Sequence, residues 1–155
     1  MKKKTKKQNW EVGDLIAIPI ADESRVLWLI LSKQPEALNS VVCAFTLVHV
    51  ETRPSTDQFE VSDVVAIRFV TRDLLDIGEW EVIGKAEVFD IQSMFDLDSH
   101  LKRRFVGTRV NGSGVIRNFL SACLGLVPWD MYFDPFEFDG ILLRPELKPK
   151  KLIYK

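Results

Sequence analysis

The chain has 155 residues, of which 46% are hydrophobic and 28% charged, and its formal charge is -1. This length suits one packed domain, and the ordinary glycine and proline content excludes collagen-like and wholly disordered chains. The longest apolar run, at 26–31, is six residues long, far short of the roughly 18 to 20 that cross a bilayer. The basic start leads into polar residues rather than an apolar stretch, so we expect no membrane contact and a cytoplasmic location.

The charge is unevenly distributed along the chain. Residues 1–7 hold five lysines, and residues 144–155 hold five basic residues against one acid, Glu146. Residues 8–143 therefore hold 11 basic and 21 acidic residues, a formal charge near -10. We expect a basic flexible arm, a single domain and a basic mobile tail, at residues 1–9, 10–144 and 145–155.

Strand-forming residues dominate the first half of the domain. Leu15–Ile20 and Arg25–Ser32 flank a short polar turn, which predicts a hairpin. Ser40–Val50 is apolar at both odd and even positions, so both of its faces are expected to be covered. Beyond a polar loop at 51–57, the next predicted strand is Val64–Val70.

A short helix and another strand follow. Thr71 can cap a helix over Arg72–Ile77 that ends at Gly78. Trp80 and Val82 alternate with glutamates, which indicates a half-buried strand.

The remaining pattern is mainly helical. Charges at 92–105 suit a helix dipole, and apolar spacing over Ser113–Leu124 predicts the clearest helix, with Gly125 as its stop. Asp134 and Glu137 suit a capped helical turn. Because the strands are consecutive and closely connected, we predict an α+β domain with a mainly antiparallel, partly barrel-like sheet and one or two packed helices.

Few residues have the spacing of a catalytic or metal site. Cys43 and Cys123 belong to no Cys-x-x-Cys pair and are expected to be buried thiols, so no disulfide framework is predicted. His49 lies in an apolar strand and His100 in a charged stretch, and both are interpreted as structural or exposed.

Two motifs that could bind a ligand have simpler explanations. Asp96, Asp98 and His100 form a D-x-D-x-H run that could hold a cation, but a solvated segment is favoured because a calcium loop's glycine and distal glutamate are missing. Gly112 and Gly114 lack the third glycine of a dinucleotide motif, so a turn with positive φ angles is favoured. No catalytic residue, metal site or cofactor is predicted.

The segment 129–139, WDMYFDPFEFD, places five aromatic residues among four carboxylates. We call it the aromatic-acidic segment. Aromatic side chains dominate binding energy at interfaces, and carboxylates steer a basic partner. The alternative is that the aromatic residues cap the core while the acids face water. The candidate partner-binding residues are Trp129, Asp130, Tyr132, Asp134, Phe136, Glu137 and Asp139.

Two stretches resemble a known family. GDLIAIP at Gly13–Pro19 and LLDIGEWEVIG at Leu74–Gly84 together resemble the immunity protein 26 family of bacterial polymorphic toxin systems. The resemblance implies a cytoplasmic, non-enzymatic protein that binds a cognate toxin domain and blocks it. It carries over no catalytic residues. The matching positions, which the residue chemistry assigns to turns and core, are Gly13, Asp14, Trp80 and Gly84.

Two functions therefore remain open at the level of sequence. The leading hypothesis is stoichiometric occlusion of a toxin domain, such as a basic nuclease, by an acidic and aromatic surface. The alternative is a small barrel-like module that binds nucleic acid through its lysine-rich ends, which the acidic body disfavours. An enzyme ranks third because no nucleophile, base and orienting group can be assembled. The sequence leaves the oligomeric state open.

Overall fold

The computed structural model describes residues 7–50, 59–91 and 94–155 and is built on one six-stranded sheet. The strands are β1 (Asp14–Pro19), β2 (Arg25–Gln34), β3 (Ser40–His49), β4 (Val64–Val70), β5 (Glu81–Lys85) and β6 (Val110–Asn111). They lie in the order β5-β1-β2-β3-β4-β6, and every neighbouring pair is antiparallel except the parallel pair of β4 and β6.

The sheet of the described chain is open, with β5 and β6 at its edges. The prediction of an α+β domain is confirmed, whereas the expected partial closure into a barrel is wrong. The two edge strands do not pair with each other, and β6 is only two residues long. The predicted loop at 51–57 lies outside the described residues, as do residues 1–6 of the predicted arm and the positions 92 and 93 of the predicted helix.

Three α-helices accompany the sheet. They are α1 (Asp73–Asp76), α2 (Leu97–Lys102) and α3 (Ser113–Cys123), and single 3-10 turns lie at Val61–Asp63 and Pro145–Leu147. The helix α3 ends as predicted at Gly125, whose φ is +74°. The backbone N–H of Gly125 donates to Ala122 O, and that of Leu126 donates to Ser121 O, which is the Schellman arrangement that terminates helices.

Several local predictions were wrong in detail. Arg72 rather than Thr71 precedes α1, and the Thr71 hydroxyl instead donates to Asp73 Oδ1 and accepts from the Ser113 N–H. Gly112 has a φ of -70°, so the turn before α3 does not need positive φ there. Asp134 caps no helix. Its Oδ1 accepts from the Phe136 N–H at 2.9 Å and closes a local turn.

Both faces of the sheet are buried, which confirms the prediction for β3. One face packs against α3 and the aromatic-acidic segment, and we call this the α3 layer. The other face packs against residues 86–91 and 94–105, and we call this the α2 layer. Neighbouring residues of one strand serve opposite layers, as Trp28 and Leu29 of β2 show, and both are fully buried. Alternation along a strand therefore supplies two cores.

The C-terminal residues after 144, which were expected to form a mobile tail, lie against the domain. The Trp129 N–H donates to Ile153 O at 2.8 Å, and Leu152 packs against the α3 layer. Lys148 Nζ donates to Asp139 Oδ1 at 2.9 Å. Through these contacts the tail packs on the domain.

Gln8 fixes the first described residues to the sheet edge. Its Nε2 donates to the carbonyl oxygens of Leu75 and Trp80, both at 2.8 Å. Its Oε1 accepts from the Val82 N–H at 3.0 Å. The described end of the predicted arm is therefore hydrogen-bonded to β5 and to the turn before it.

Candidate functional site

The structure divides the aromatic-acidic segment into a buried part and an exposed part. Trp129 and Phe138 are buried, with ring centroids 5.5 Å apart, and both rings contact Phe119 of α3. Tyr132 is half-buried, and its hydroxyl accepts from Asn118 Nδ2 at 2.8 Å. These three residues anchor the segment on the α3 layer. Trp129 was among the predicted partner-binding residues, and the structure places its side chain beneath the surface.

Phe133 and Phe136 face the solvent instead. Phe133 is fully exposed, and Phe136 is 71% exposed. Asp134 lies between them in sequence and closes the turn through its bond to the Phe136 N–H. Phe133 was not among the predicted contact residues, although it is the most exposed large hydrophobic residue of the described chain. We call Phe133, Asp134 and Phe136 the exposed patch.

The other three carboxylates of the segment have partners within the chain. Asp139 accepts from Trp129 Nε1 at 3.1 Å and from Lys148, and the hydrogen bond to Asp139 raises the pKa of Lys148. Asp130 accepts from the Lys155 N–H at 2.8 Å. Glu137 forms an ion pair with Arg109. These acids stabilise the segment, so they are less available to a partner than the sequence suggested.

A basic pocket lies beside the segment and was not predicted. It has a volume of about 210 Å³ and is lined by Arg68, Phe69, Phe95, His100, Gly107 and Arg109. Strand β4 supplies the first two of these residues, the loop before α2 supplies Phe95, α2 supplies the histidine, and the loop before β6 supplies the last two. We call it the arginine pocket. One sequence feature could have revealed it, because residues 99–129 contain five basic residues and no acid.

Arg68 lines this pocket and is half-buried. Its Nε donates to Asn111 Oδ1 at 2.8 Å, and its Nη1 lies 3.5 Å from Gly140 O. Burial lowers the pKa of this guanidinium, and the nearby positive charge of Arg109 lowers it further. An arginine remains charged at neutral pH despite such a shift. Its hydrogen-bond partners are neutral oxygens.

His100 is held by aromatic and basic neighbours. Its ring is stacked on Phe95 at a centroid distance of 5.5 Å and meets Phe69 edge-on at 5.1 Å. Nδ1 lies 2.6 Å from Thr108 Oγ1 and 3.1 Å from Arg103 Nη2. Because arginine can only donate, Nδ1 accepts and the proton lies on Nε2.

The charge state of His100 follows from the same surroundings. Burial lowers the pKa of His100, Arg103 and Arg68 lower it further, and Asp96 opposes them. The neutral ring is therefore favoured. Asp96 itself caps α2 by accepting from the Ser99 N–H. The D-x-D-x-H run forms separate contacts, and the described residues contain no group of three or more potential metal ligands.

The thiols are in unreactive surroundings. Cys43 and Cys123 are both free and buried. Burial raises the pKa of Cys43 well above its usual value and that of Cys123 to about 12. Since the thiolate is the reactive form, neither residue is suited to nucleophilic attack near neutral pH.

The residues that carried the family resemblance hold the sheet together. Gly13 has a φ of +94°, and Asp14 is buried and accepts from the Glu11 N–H at 2.8 Å. Trp80 is buried in the α3 layer, and Gly84 pairs with Leu15 across β5 and β1. The interpretation as turn and core residues is confirmed for Gly13, Asp14 and Trp80, whereas Gly84 lies half-buried within the edge strand β5.

Comparison with known proteins gave no match to a family model, to a curated protein or to a solved structure. No helix of the described residues is long and apolar enough to cross a membrane. The functional argument therefore depends on the surfaces of this chain.

Proposed function

We propose that this protein is an immunity protein, a stoichiometric inhibitor that binds a cognate bacterial toxin domain in the cytoplasm and occludes it. The observation that carries the proposal is the exposed patch, in which Phe133 and Phe136 face the solvent on a segment anchored by buried aromatic residues. Aromatic side chains that become desolvated at an interface contribute most of the binding energy. A surface that only had to remain soluble would gain nothing from two exposed phenylalanines here.

The anchoring of the patch supports strong binding. Trp129 and Phe138 are buried beneath it, and the Asp134 turn fixes the backbone at Phe136. Immobilising a flexible side chain on binding costs about 0.5–1.5 kcal/mol. A patch on a preformed turn avoids part of the cost of ordering the backbone, so more of the contact energy appears as affinity.

The charge of the body supports a basic partner. Because the residues after 144 lie against the domain, residues 8–155 are counted together, and they hold 16 basic and 22 acidic residues. Their formal charge near -6 creates a long-range field that accelerates encounter with a cationic protein. The internal ion pairs of Glu137 with Arg109 and of Asp139 with Lys148 do not abolish this field, because both cations are already included in this total. A basic nuclease domain is the kind of toxin that this field would attract.

The test is co-expression with the toxin domain encoded beside this chain. The wild-type protein should rescue growth and co-purify with the toxin. The double change Phe133→Ser and Phe136→Ser should weaken binding about 1,000-fold, because each hot-spot aromatic residue contributes about 2 kcal/mol or more. The matched control changes Leu38 and Val106 to serine, since these are 82% and 74% exposed on another surface. The control should still rescue.

Two outcomes would count against the proposal. Failure of the wild-type chain to rescue or to co-purify would contradict inhibition itself. Unchanged affinity in the Phe133 and Phe136 variant would place the interface elsewhere.

A nucleic-acid-binding module is the alternative, and the acid-free run at 99–129 favours it. Retention on DNA or RNA at low salt that disappears when residues 1–7 are deleted would support that alternative, and no retention would dismiss it.

A further inference from the structure

The arginine pocket holds positive charge that its own neighbours do not neutralise. We propose that this pocket binds a small phosphate-type oxyanion, either inorganic phosphate or a phosphate monoester. The proposal is independent of toxin inhibition, because the pocket and the exposed patch consist of different residues.

The balance of charge is the first argument. Arg68 and Arg109 line the pocket, and Arg103 contacts His100 at its wall. Against these three guanidinium groups, Glu137 pairs with Arg109 and Asp96 caps α2. Among the described residues, Arg68 has no carboxylate within ion-pair distance and bonds only to neutral oxygens. Unpaired charge away from bulk water is costly, and a bound anion would offset that cost.

The donors that remain are the second argument. Arg68 uses Nε on Asn111 and directs Nη1 toward Gly140 O, which leaves Nη2 without a hydrogen-bond partner among the described residues. Arg109 uses Nη2 on Glu137 and has four further N–H donors. The neutral His100 ring keeps its Nε2–H. A planar guanidinium presents parallel N–H groups that match two oxygens of a phosphate, and such charge-assisted bonds are the strong ones.

The size and walls of the pocket define the class of ligand. Its volume of about 210 Å³ lies below the range of about 300–1,000 Å³ that holds drug-sized molecules. The rings of Phe69 and Phe95 form its apolar wall, where electrostatic attraction is stronger than in open water. A Cβ added at Gly107 would meet no atom within 4 Å, so the rim there is open. The pocket suits a compact anion that enters from solvent.

The test is calorimetric titration of the full chain with inorganic phosphate and with glycerol 3-phosphate, at low ionic strength and with chloride as reference. We expect saturable one-to-one binding of phosphate and none of chloride. Arg68→Gln should weaken binding about tenfold or more, because it removes a charged fork from the site. The matched control is Arg117→Gln, since Arg117 of α3 is also half-buried and bonds to a backbone carbonyl, that of Ile20. This control should bind as the wild type does.

A second variant has the opposite expected sign. Glu137→Gln removes the carboxylate that competes for Arg109, so phosphate should bind several-fold more tightly. This change keeps the shape of the side chain, and it tests the site even if Arg68→Gln fails to fold. Stronger binding of glycerol 3-phosphate would identify a monoester as the ligand, and binding of inorganic phosphate alone would identify the free ion.

The proposal is overturned if the wild-type chain binds neither phosphate compound more strongly than chloride. It is also overturned if Arg117→Gln and Arg68→Gln weaken binding equally, or if Glu137→Gln weakens it. Because Phe133 and Phe136 lie outside the pocket, their serine variant should keep phosphate affinity even if it loses the toxin.

Discussion

Asp73 links the start of α1 to the start of α3, which lies forty residues later in the chain. Its carboxylate accepts from the Thr71 hydroxyl at 2.7 Å and from the Ser113 hydroxyl at 3.0 Å. Burial by itself raises the pKa of Asp73, but the hydrogen bonds from Thr71 and Ser113 and from the backbone N–H groups of Asp73 and Leu74 together outweigh it, so the pKa lies below its ordinary value. The ionised carboxylate therefore stabilises the folded state.

The sign of the pH dependence follows from that shift. Because the pKa of Asp73 is lower in the folded chain than in the unfolded one, its stabilisation is present at neutral pH and is lost as pH falls through the acidic range. Asp73→Asn should lower the free energy of unfolding by about 1 kcal/mol at pH 7 and much less near pH 3. Urea denaturation at the two pH values measures the difference. The exposed Glu79→Gln is the control, and an equal loss for Asp73→Asn at both pH values would contradict this account.

The surroundings of single residues explain why the candidate site was only partly predictable. The aromatic-acidic segment was recognisable from composition, but Phe136 and Phe138 have the same side chain, and one is exposed while the other is buried. The choice depends on the turn that Asp134 closes and on Trp129 beneath it, and neither follows from residue type. Arg68 was missed because it lies alone in an apolar strand, and its charged neighbours come from residues 100–109.

Gly114 and Gly125, which lie at the two ends of α3, differ in whether their backbone conformation requires glycine. Gly125 has a φ of +74°, and a Cβ there would lie 3.4 Å from Lys151 O. Gly114, in the first turn of α3, has no such backbone, and a Cβ there would meet no atom within 4 Å. One glycine is needed for the end of the helix, and the other weakens its start.

Alanine substitutions at these positions should have opposite effects. Gly125→Ala should lower stability by about 1 kcal/mol or more, because alanine is strained at positive φ. Gly114→Ala should raise stability by about 0.4–1 kcal/mol, because it restricts the unfolded chain and suits a helix. Thermal unfolding of the two variants provides the comparison. Effects of the same sign would show that the end of α3 is not held as described.

The elements themselves were predictable where local pattern decides them. Alternation and turn residues located β1 to β4, and the apolar spacing of Ser113–Leu124 located α3. The strand β6 escaped prediction because its two residues are fixed by parallel pairing to β4, forty residues earlier. The tail after residue 144 was predicted to be mobile from its charge, but Leu152 and Ile153 provide apolar packing and a backbone acceptor that charge does not reveal.

At the scale of the whole molecule, one sheet separates two cores that contain different aromatic residues and can therefore be followed by different spectroscopic signals. The chain has four tryptophans, and all of them pack in the α3 layer. The α2 layer contains phenylalanines instead, among them Phe69 and Phe95. Tryptophan fluorescence therefore reports directly on one layer, whereas circular dichroism reports on the strands shared by both.

We expect the two layers to unfold together because they share every central strand. Leu29→Ala, at a fully buried position of the α2 layer, should lower stability by about 2–5 kcal/mol. The transition measured by tryptophan fluorescence should shift by the same amount as the transition measured by circular dichroism. Ile16→Ala on the opposite face is the matched variant. A fluorescence midpoint unmoved by Leu29→Ala would show that the layers unfold separately.

The hydrogen bonds of Gln8 affect how readily this protein associates with other chains in a concentrated solution. An unpaired edge strand offers N–H and C=O groups to strands of other chains and can seed aggregation. At β5 the Gln8 side chain takes the Val82 N–H, while Glu81 and Lys85 place charges at the two ends of the strand. At the other edge, β6 offers only two residues. The Gln8 side chain thus occupies a backbone donor that a strand of another chain could otherwise pair with. The protein can therefore keep an open sheet without aggregating through its edges.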